Sequence, residues 1–293
     1  MELDKERVLP IIKAALKEDT GRGDITTDAL IGKFESSKAY IVTKEDCVVC
    51  GLQVAEWLMA QVDYSVRFKP NCKEGGFVGA GKEIAVIEGR VSAILRAERT
   101  MLNFLSLLSG IATKTRRFVD KARPYGVKIL DTRKTLPLLR YMEKYAVSSG
   151  GGANHRMGLY DRVLIKENHV RVSGLGYRVS RKEEKLSLKT LIETARKKNP
   201  KGTSIEIEVT NIAEFNEALP GKPDIIMLDN MSIEDVKACV EIRRLSKFKP
   251  LLEASGGITL ENVEEYAKTR VDMISVGSLT NSVKAIDMSL EIV

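Results

Sequence analysis

The sequence predicts an α/β protein: a small α+β unit over roughly the first hundred residues, then a parallel sheet with helices between its strands. Three observations predict it. After residue 125 short apolar runs alternate with helical patterns; before it, strands are set off by glycines; and polar residues gather where each late strand ends.

The first element is a helix over residues 4–17, where Val8, Ile11, Ile12, Ala15 and Leu16 recur at helical spacing, and the turn Asp19–Asp24 stops it. Thr26, Thr27 and Asp28 are positioned to cap the next element. A strand is predicted over 39–49, a helix over 54–60, and strands at Tyr64, Val66 and Phe68 and again at Ile84 and Val86, with Gly75, Gly76, Gly79 and Gly81 between the last two. A long helix follows over 91–121, its apolar face drawn from Leu95, Leu102, Phe104, Leu105, Leu108, Ile111 and Ala112, with Ser109-Gly110 as a candidate kink.

The later strands are predicted at 127–130, 163–165, 204–209, 224–228, 250–254 and 272–276. Helices are expected at 136–147, 187–198, 212–219, 233–245 and 260–268. Such alternation implies a doubly wound sheet or a partial barrel. Asp131 and Arg133 follow the first of these strands, Lys166 the second, Asp229 the fourth, Ser255-Gly256-Gly257 the fifth and Gly277-Ser278 the sixth, while Glu208 closes the third. All stand at carboxyl ends, the edge where a βα barrel builds its active site.

Composition bounds what this edge can bind. Of 293 residues 43% are apolar, enough for a substantial core, and 47 basic against 40 acidic side chains leave a net charge of +7, which suits anionic ligands. Interleaved acids and only 5% aromatic residues argue against a nucleic-acid partner. No window has the length or apolarity of a membrane span, and no signal peptide is visible, so a cytoplasmic protein is expected. Cys47 and Cys50 have the spacing of a redox motif or half a zinc site, but they lie in an apolar run without a second ligand pair and are expected to be small core residues; Cys72 and Cys239 are the other two cysteines.

The cations concentrate between Asp131 and Val170, with Arg133, Lys134, Arg156 and Lys166 at breaks in secondary structure and the chain's two histidines, His155 and His169, beside them. Arg140 and Lys144, four residues apart, are expected on a solvated helix face. Late glycines, Gly256, Gly257 and Gly277, can expose backbone N–H groups to a phosphate. Glu208 and Asp229 would face the same mouth, where carboxylates can hold Mg²⁺, bind ribose hydroxyls or stabilise a cationic sugar; Glu206, two residues away on the same side of its strand, is a rival for the Glu208 role.

The motifs Asp131-Thr132-Arg133-Lys134-Thr135, Gly150-Gly151-Gly152, Asn154-His155-Arg156 and Leu164-Ile165-Lys166-Glu167-Asn168-His169 closely resemble those of quinolinate phosphoribosyltransferases, also called decarboxylating nicotinate-nucleotide pyrophosphorylases. Glu98-Arg99, Leu228-Asp229-Asn230 and Glu253-Ala254-Ser255-Gly256-Gly257 agree in order, so the resemblance spans nearly the whole chain. It implies an N-terminal α/β sandwich over 1–110, to which 279–293 return, and an incomplete βα, TIM-like barrel over 111–278.

The implied activity is that of a pentosyltransferase. Quinolinate and 5-phosphoribosyl 1-pyrophosphate react with Mg²⁺ to give nicotinate mononucleotide, pyrophosphate and carbon dioxide in NAD synthesis. By the same resemblance, Arg133, His155, Arg156 and a neighbouring subunit's Arg99 meet the dicarboxylate, in a homodimer with shared sites or an assembly of dimers. Lys134 and Lys166 meet the phosphoribosyl pyrophosphate, Lys166 also reaching quinolinate; Glu208 and Asp229 lie near ribose and metal; and Ser255, Gly256, Gly257 and Gly277 hold the 5-phosphate.

Glu167, Asn281 and a long connector between Lys166 and Glu208, with Gly174, Gly176 and the charged run 181–185, depart from the expected pattern; the connector reads as an exposed excursion at the barrel edge. Rival readings are a phosphoribosyltransferase that takes nicotinate without decarboxylation, a paralogue of the kind found beside molybdate-transport genes, and a non-enzymatic binding protein on the same scaffold. A monocarboxylate would leave part of the cationic set unmatched, and intact Lys134, Lys166, Glu208 and Asp229 argue against a decayed site.

Overall fold

The computed structural model describes residues 1–173 and 186–293; Gly174, Gly176 and the charged run 181–185 of the connector lie outside the described residues. In chain order the elements are α1 (Lys5–Thr20), α2 (Ile25–Leu30), β1 (Ser36–Thr43), β2 (Cys47–Val48), α3 (Leu52–Val62), β3 (Arg67–Pro70), β4 (Phe77–Val78), β5 (Glu83–Arg90) and α4 (Val91–Ala122). There follow β6 (Lys128–Leu130), α5 (Arg140–Ser149), β7 (Val163–Ile165), α6 (Glu167–Val172), α7 (Leu188–Lys198), β8 (Ile205–Val209), α8 (Ile212–Ala218), β9 (Ile225–Asp229), α9 (Ile233–Leu245), β10 (Leu251–Ser255), α10 (Val263–Lys268), β11 (Met273–Ser275), α11 (Ser278–Asn281) and β12 (Met288–Ile292).

The chain divides into two compact units, one of residues 1–117, 134–152 and 278–293, the other of 118–133 and 153–277. In the first, β12, β1, β5 and β3 form an antiparallel sheet in that order, which explains why the C-terminal segment pairs with residues near the start. Alternation on β1 buries Ala39 and Ile41, and α4 buries Ala93, Ala97, Met101, Leu105, Leu108 and Ala112, the three-to-four spacing of one helix face. Ser109-Gly110 does not divide α4, which runs as one continuous helix of 32 residues. Ser109 stays inside it, its hydroxyl accepting the Cys50 N–H at 3.0 Å. Asp24, and not the threonines after it, caps α2, accepting the Thr27 N–H.

Residues 134–152, expected with the barrel, group with the first unit. Small residues permit the approach: a Cβ on Gly150 would stand 2.5 Å from the Ala112 carbonyl oxygen of α4. The same burial corrects the reading of Lys144, which is fully buried, as is Glu143, because α5 is enclosed over 142–147 and offers no solvated face there. Cys47, Cys50 and Cys239 are buried free thiols, as core residues should be, and burial pushes the Cys239 thiol up to about 12.

The second unit holds six parallel strands in the order β6-β11-β10-β9-β8-β7. This is the neighbour order of a βα barrel opened between β6 and β7. The predicted strands fall within one or two residues of these; β4, α2 and α6 were too short to carry a periodic signal. Among the described residues no helix is long and apolar enough to cross a membrane.

One glycine of α4 tests the close packing of the first unit. A Cβ on Gly110 would stand 2.4 Å from the Lys284 carbonyl oxygen and 3.0 Å from Val283 Cγ1. Gly110→Ala should gain about 1 kcal/mol of helix propensity yet lose more to overpacking, for a net destabilisation of about 1–2 kcal/mol in urea denaturation. A stabilised variant would contradict the packing.

Candidate active site

Paired residues on neighbouring parallel strands point to the same side of a sheet, and so do residues two apart on one strand. The register pairs Leu164 with Glu206, Glu206 with Ile225, Glu208 with Met227 and Met227 with Glu253. One face of the sheet therefore carries Lys166, Glu206, Glu208, Asp229, Glu253 and Ser255, and the register of β10 with β11 adds Met273 and Ser275. Its floor is apolar, with Leu130, Ile225 and Met273 in one cluster, and its polar groups rise toward the carboxyl ends.

At the outer level the Lys166 ammonium lies 2.5 Å from Glu208 Oε2, both partly accessible. Asp229 accepts from the Asn230 side-chain amide at 2.8 Å. Asn230 itself has φ 53° and donates its N–H to the Ser255 carbonyl. Beside it the chain turns through Gly256 and Gly257 at φ 89° and 61°, and a Cβ on Gly256 would meet Asn230 Oδ1 at 2.3 Å, so only glycine fits there. Asn262 closes the loop, its amide donating to the Gly257 carbonyl and its Oδ1 accepting the Thr259 N–H.

One layer down sits an ion cluster that is almost dry. Glu206 is fully buried, with Arg162 Nη1 3.0 Å and His155 Nε2 3.2 Å from its Oε2. Glu253, also fully buried, brings Oε1 within 3.7 Å of the same imidazole nitrogen. Burial raises both carboxyls, but His155 and Arg162 outweigh it for Glu206 and hold it below its ordinary range. For Glu253 burial, then the Glu206 charge, outweigh the opposing pull of His155, Ser275 and Arg162 and push it up to about 7. These three residues can bring their donor atoms within 4.8 Å of one another, the one potential metal-ligand group among the described residues; the Arg162 guanidinium already neutralises it.

Arg156 is buried, with its backbone N–H on His155 Nδ1 at 2.8 Å and its Nη1 on the Arg162 carbonyl at 3.1 Å. Burial, then the nearby Arg133 charge, lower its affinity for its proton, with the Glu206 and Asp161 carboxylates working the other way. Asp131, fully buried, ties the strand end to this loop by accepting the His155 N–H at 2.9 Å and the Asn154 amide at 2.6 Å.

The second unit thus brings together Arg133, His155, Arg156, Lys166, Glu208, Asp229, Ser255, Gly256, Gly257 and Gly277. Lys134 and Arg99 belong to the first unit, both exposed, Arg99 on α4. Glu206 is assigned by position: it lies in the buried layer, and Glu208 pairs with Lys166 at the rim. Sequence reasoning missed Arg162 and Glu253, although a carboxylate inside the apolar strand Leu251–Ser255 was a signal for the latter.

A βα barrel whose carboxyl edge gathers cations beside two carboxylates and a glycine turn defines a class of enzymes for anionic, phosphorylated substrates. The comparisons narrow that class. The model of the quinolinate phosphoribosyl transferase N-terminal domain matches residues 24–109 and that of its C-terminal domain residues 111–291. A probable carboxylating nicotinate-nucleotide pyrophosphorylase of Methanocaldococcus jannaschii is 43% identical over 99% of this chain and 98% of its own length. The decarboxylating quinolinate phosphoribosyltransferase 1b of Nicotiana tabacum is 39% identical over 96% of this chain and 81% of its own. The solved nicotinate-nucleotide pyrophosphorylase of Francisella tularensis superposes with a TM-score of 0.91 at 39% identity, covering 100% of this chain and 98% of that one. The chain belongs to the quinolinate phosphoribosyltransferase family.

The buried acid predicts a pH dependence. Glu253 is raised when folded, so its contribution to stability is complete below about pH 4.5 and is lost as pH rises through about 7. Its loss is on the order of 3 kcal/mol. Glu253→Gln, which keeps the shape and cannot ionise, should gain stability relative to the parent between pH 5 and pH 8 in urea denaturation. A difference that stays flat with pH would contradict the assignment.

Proposed function

We infer that the chain transfers the phosphoribosyl group of 5-phosphoribosyl 1-pyrophosphate to quinolinate, with decarboxylation, to give nicotinate mononucleotide, pyrophosphate and carbon dioxide in NAD synthesis. The observation that carries this reading is the buried Arg156 with Arg133 near it, in the same unit whose barrel rim carries Lys166. A site that holds cations together in the absence of ligand is complementary to a substrate with more than one negative charge.

Quinolinate carries two adjacent carboxylates on a pyridine ring. Arg133 and Arg156 are assigned to them, with Arg99 of a neighbouring subunit completing the set in a homodimer; the exposure of Arg99 supports that role. Lys166 and Lys134 are assigned to the phosphoribosyl pyrophosphate, and the Ser255-Gly256-Gly257 turn with Gly277 to its 5-phosphate; Gly256 and Gly257 take positive φ and put no side chain between their backbone and a phosphate.

Glu208 and Asp229 share one sheet face at the rim, and their oxygens suit a hard cation such as Mg²⁺. When bound with the pyrophosphate, Mg²⁺ would supply charge neutralisation of the leaving group. The chain's own residues do the rest. The ring nitrogen is already a nucleophile, so the arginines act by aligning it with the anomeric carbon while pyrophosphate leaves. The two carboxylates favour the positive charge that develops on the sugar. Breaking the bond from C2 to its carboxylate then releases carbon dioxide and leaves the electron pair on C2, where the adjacent positive ring nitrogen stabilises it until C2 takes up a proton from solvent.

The direct assay offers purified protein Mg²⁺, phosphoribosyl pyrophosphate and either quinolinate or nicotinate, following mononucleotide and carbon dioxide. Product from quinolinate is expected; product from nicotinate alone would reject the substrate. Lys166→Ala should lower kcat/KM about 10²–10³-fold, the usual cost of removing a group aimed at transition-state charge. Arg99→Ala and Lys166→Ala proteins, each impaired, should regain partial activity when mixed, because each supplies an intact half. Absence of recovery despite measured subunit exchange would count against a shared site.

A further inference from the structure

His155 offers two ring nitrogens, and the protein uses both. Nδ1 accepts the Arg156 backbone N–H at 2.8 Å, which requires that nitrogen to be unprotonated. The imidazole proton then sits on Nε2, which faces Glu206 Oε2 at 3.2 Å with Glu253 Oε1 at 3.7 Å behind it. Protonating the ring to imidazolium would break the bond to Arg156. Glu206 also holds the Arg162 guanidinium at 3.0 Å, and the Arg162 carbonyl accepts from Arg156 Nη1 at 3.1 Å. The buried carboxylate therefore reaches Arg156 along two routes, through the imidazole to its backbone and through Arg162 to its guanidinium.

We propose that His155 is a positioning residue for the phosphoribosyl-transfer reaction, held by Glu206 as the neutral Nε2–H tautomer so that it fixes Arg156 and makes no contact with the pyridine dicarboxylate through a ring nitrogen. The proposal rests on the function inferred for the chain for the identity of that substrate. It assigns the task of meeting a carboxylate to Arg156, and to Glu206 and Arg162 the task of orienting it. A neutral imidazole suits this place, since a cation there would compete with Arg156 for the same anion and would remove the acceptor that locks the loop.

The chain has only two histidines, His155 and His169, so imidazole ¹⁵N spectra of the full-length protein are assignable with a single His169→Asn variant. The expected spectrum for His155 shows an unprotonated Nδ1 and a protonated Nε2 at neutral pH, unchanged on saturation with quinolinate. Protonation of both nitrogens, before or after quinolinate is added, overturns the proposal. Kinetics give an independent test, because an Asn side chain places its oxygen near the position of Nδ1 and a Gln side chain reaches that of Nε2. His155→Ala should raise the KM for quinolinate about tenfold or more while the KM for phosphoribosyl pyrophosphate moves less than twofold. His155→Asn should recover most of that loss and His155→Gln little of it; the reverse order overturns the proposal. Should the variants fail to fold, the spectrum of the parent protein decides. A parent protein inactive with quinolinate would sink the reading of the function, while the tautomer of the ligand-free protein would still judge the proposal.

Discussion

A carboxylate removed from water must be met by donors, and in this chain the fully buried Glu206 imposes that requirement on the centre of the second unit. Its position on β8 is dictated by alternation, since an inward residue one layer below the rim can only face the floor of the sheet. The donors that answer it, Arg162 and His155, are the residues that hold Arg156. Breaking one member of such a cluster leaves an unmatched charge in the interior, at a cost of several kcal/mol, so the geometry of the cationic site is tied to the stability of the fold.

The face is layered by charge. Apolar Ile225 and Met273 stand in register with the buried acids Glu206 and Glu253, and Lys166, Glu208 and Asp229 stand nearer the carboxyl edge with the glycine turn. Placing negative charge beneath a cationic rim holds the arginines and lysine in orientation without occupying the side from which a ligand enters. The upward shift of Glu253 fits this arrangement: two ionised acids at that depth would outweigh the one guanidinium beside them, and burial with the Glu206 charge raises one of the two.

The strand-helix order of the second unit was legible because six apolar runs recur with helical patterns between them, and the site edge because polar residues end each strand. Lys166 and the Ser255-Gly256-Gly257 turn were visible for the same reason. The depth of a side chain was less legible. Glu206 and Glu208 share a strand face, and only the three-dimensional partners, Arg162 for one and Lys166 for the other, separate a buried anchor from a rim group. Arg162 escaped notice because it precedes its strand in an irregular segment, where no periodicity marks a side chain as inward. Lys144 was misread for a related reason: spacing of four along a helix defines a face but not whether water or protein covers it, and here protein does.

The central claim is that the cations of this rim are arranged around a ligand with two adjacent carboxylates. A crystal structure of the chain soaked with quinolinate tests it most directly. The account predicts both carboxylates paired with the guanidinium groups of Arg133 and Arg156, with the His155 ring still bonded to the Arg156 N–H and to Glu206. Quinolinate bound elsewhere, or in this mouth with its carboxylates turned away from both arginines, would contradict it.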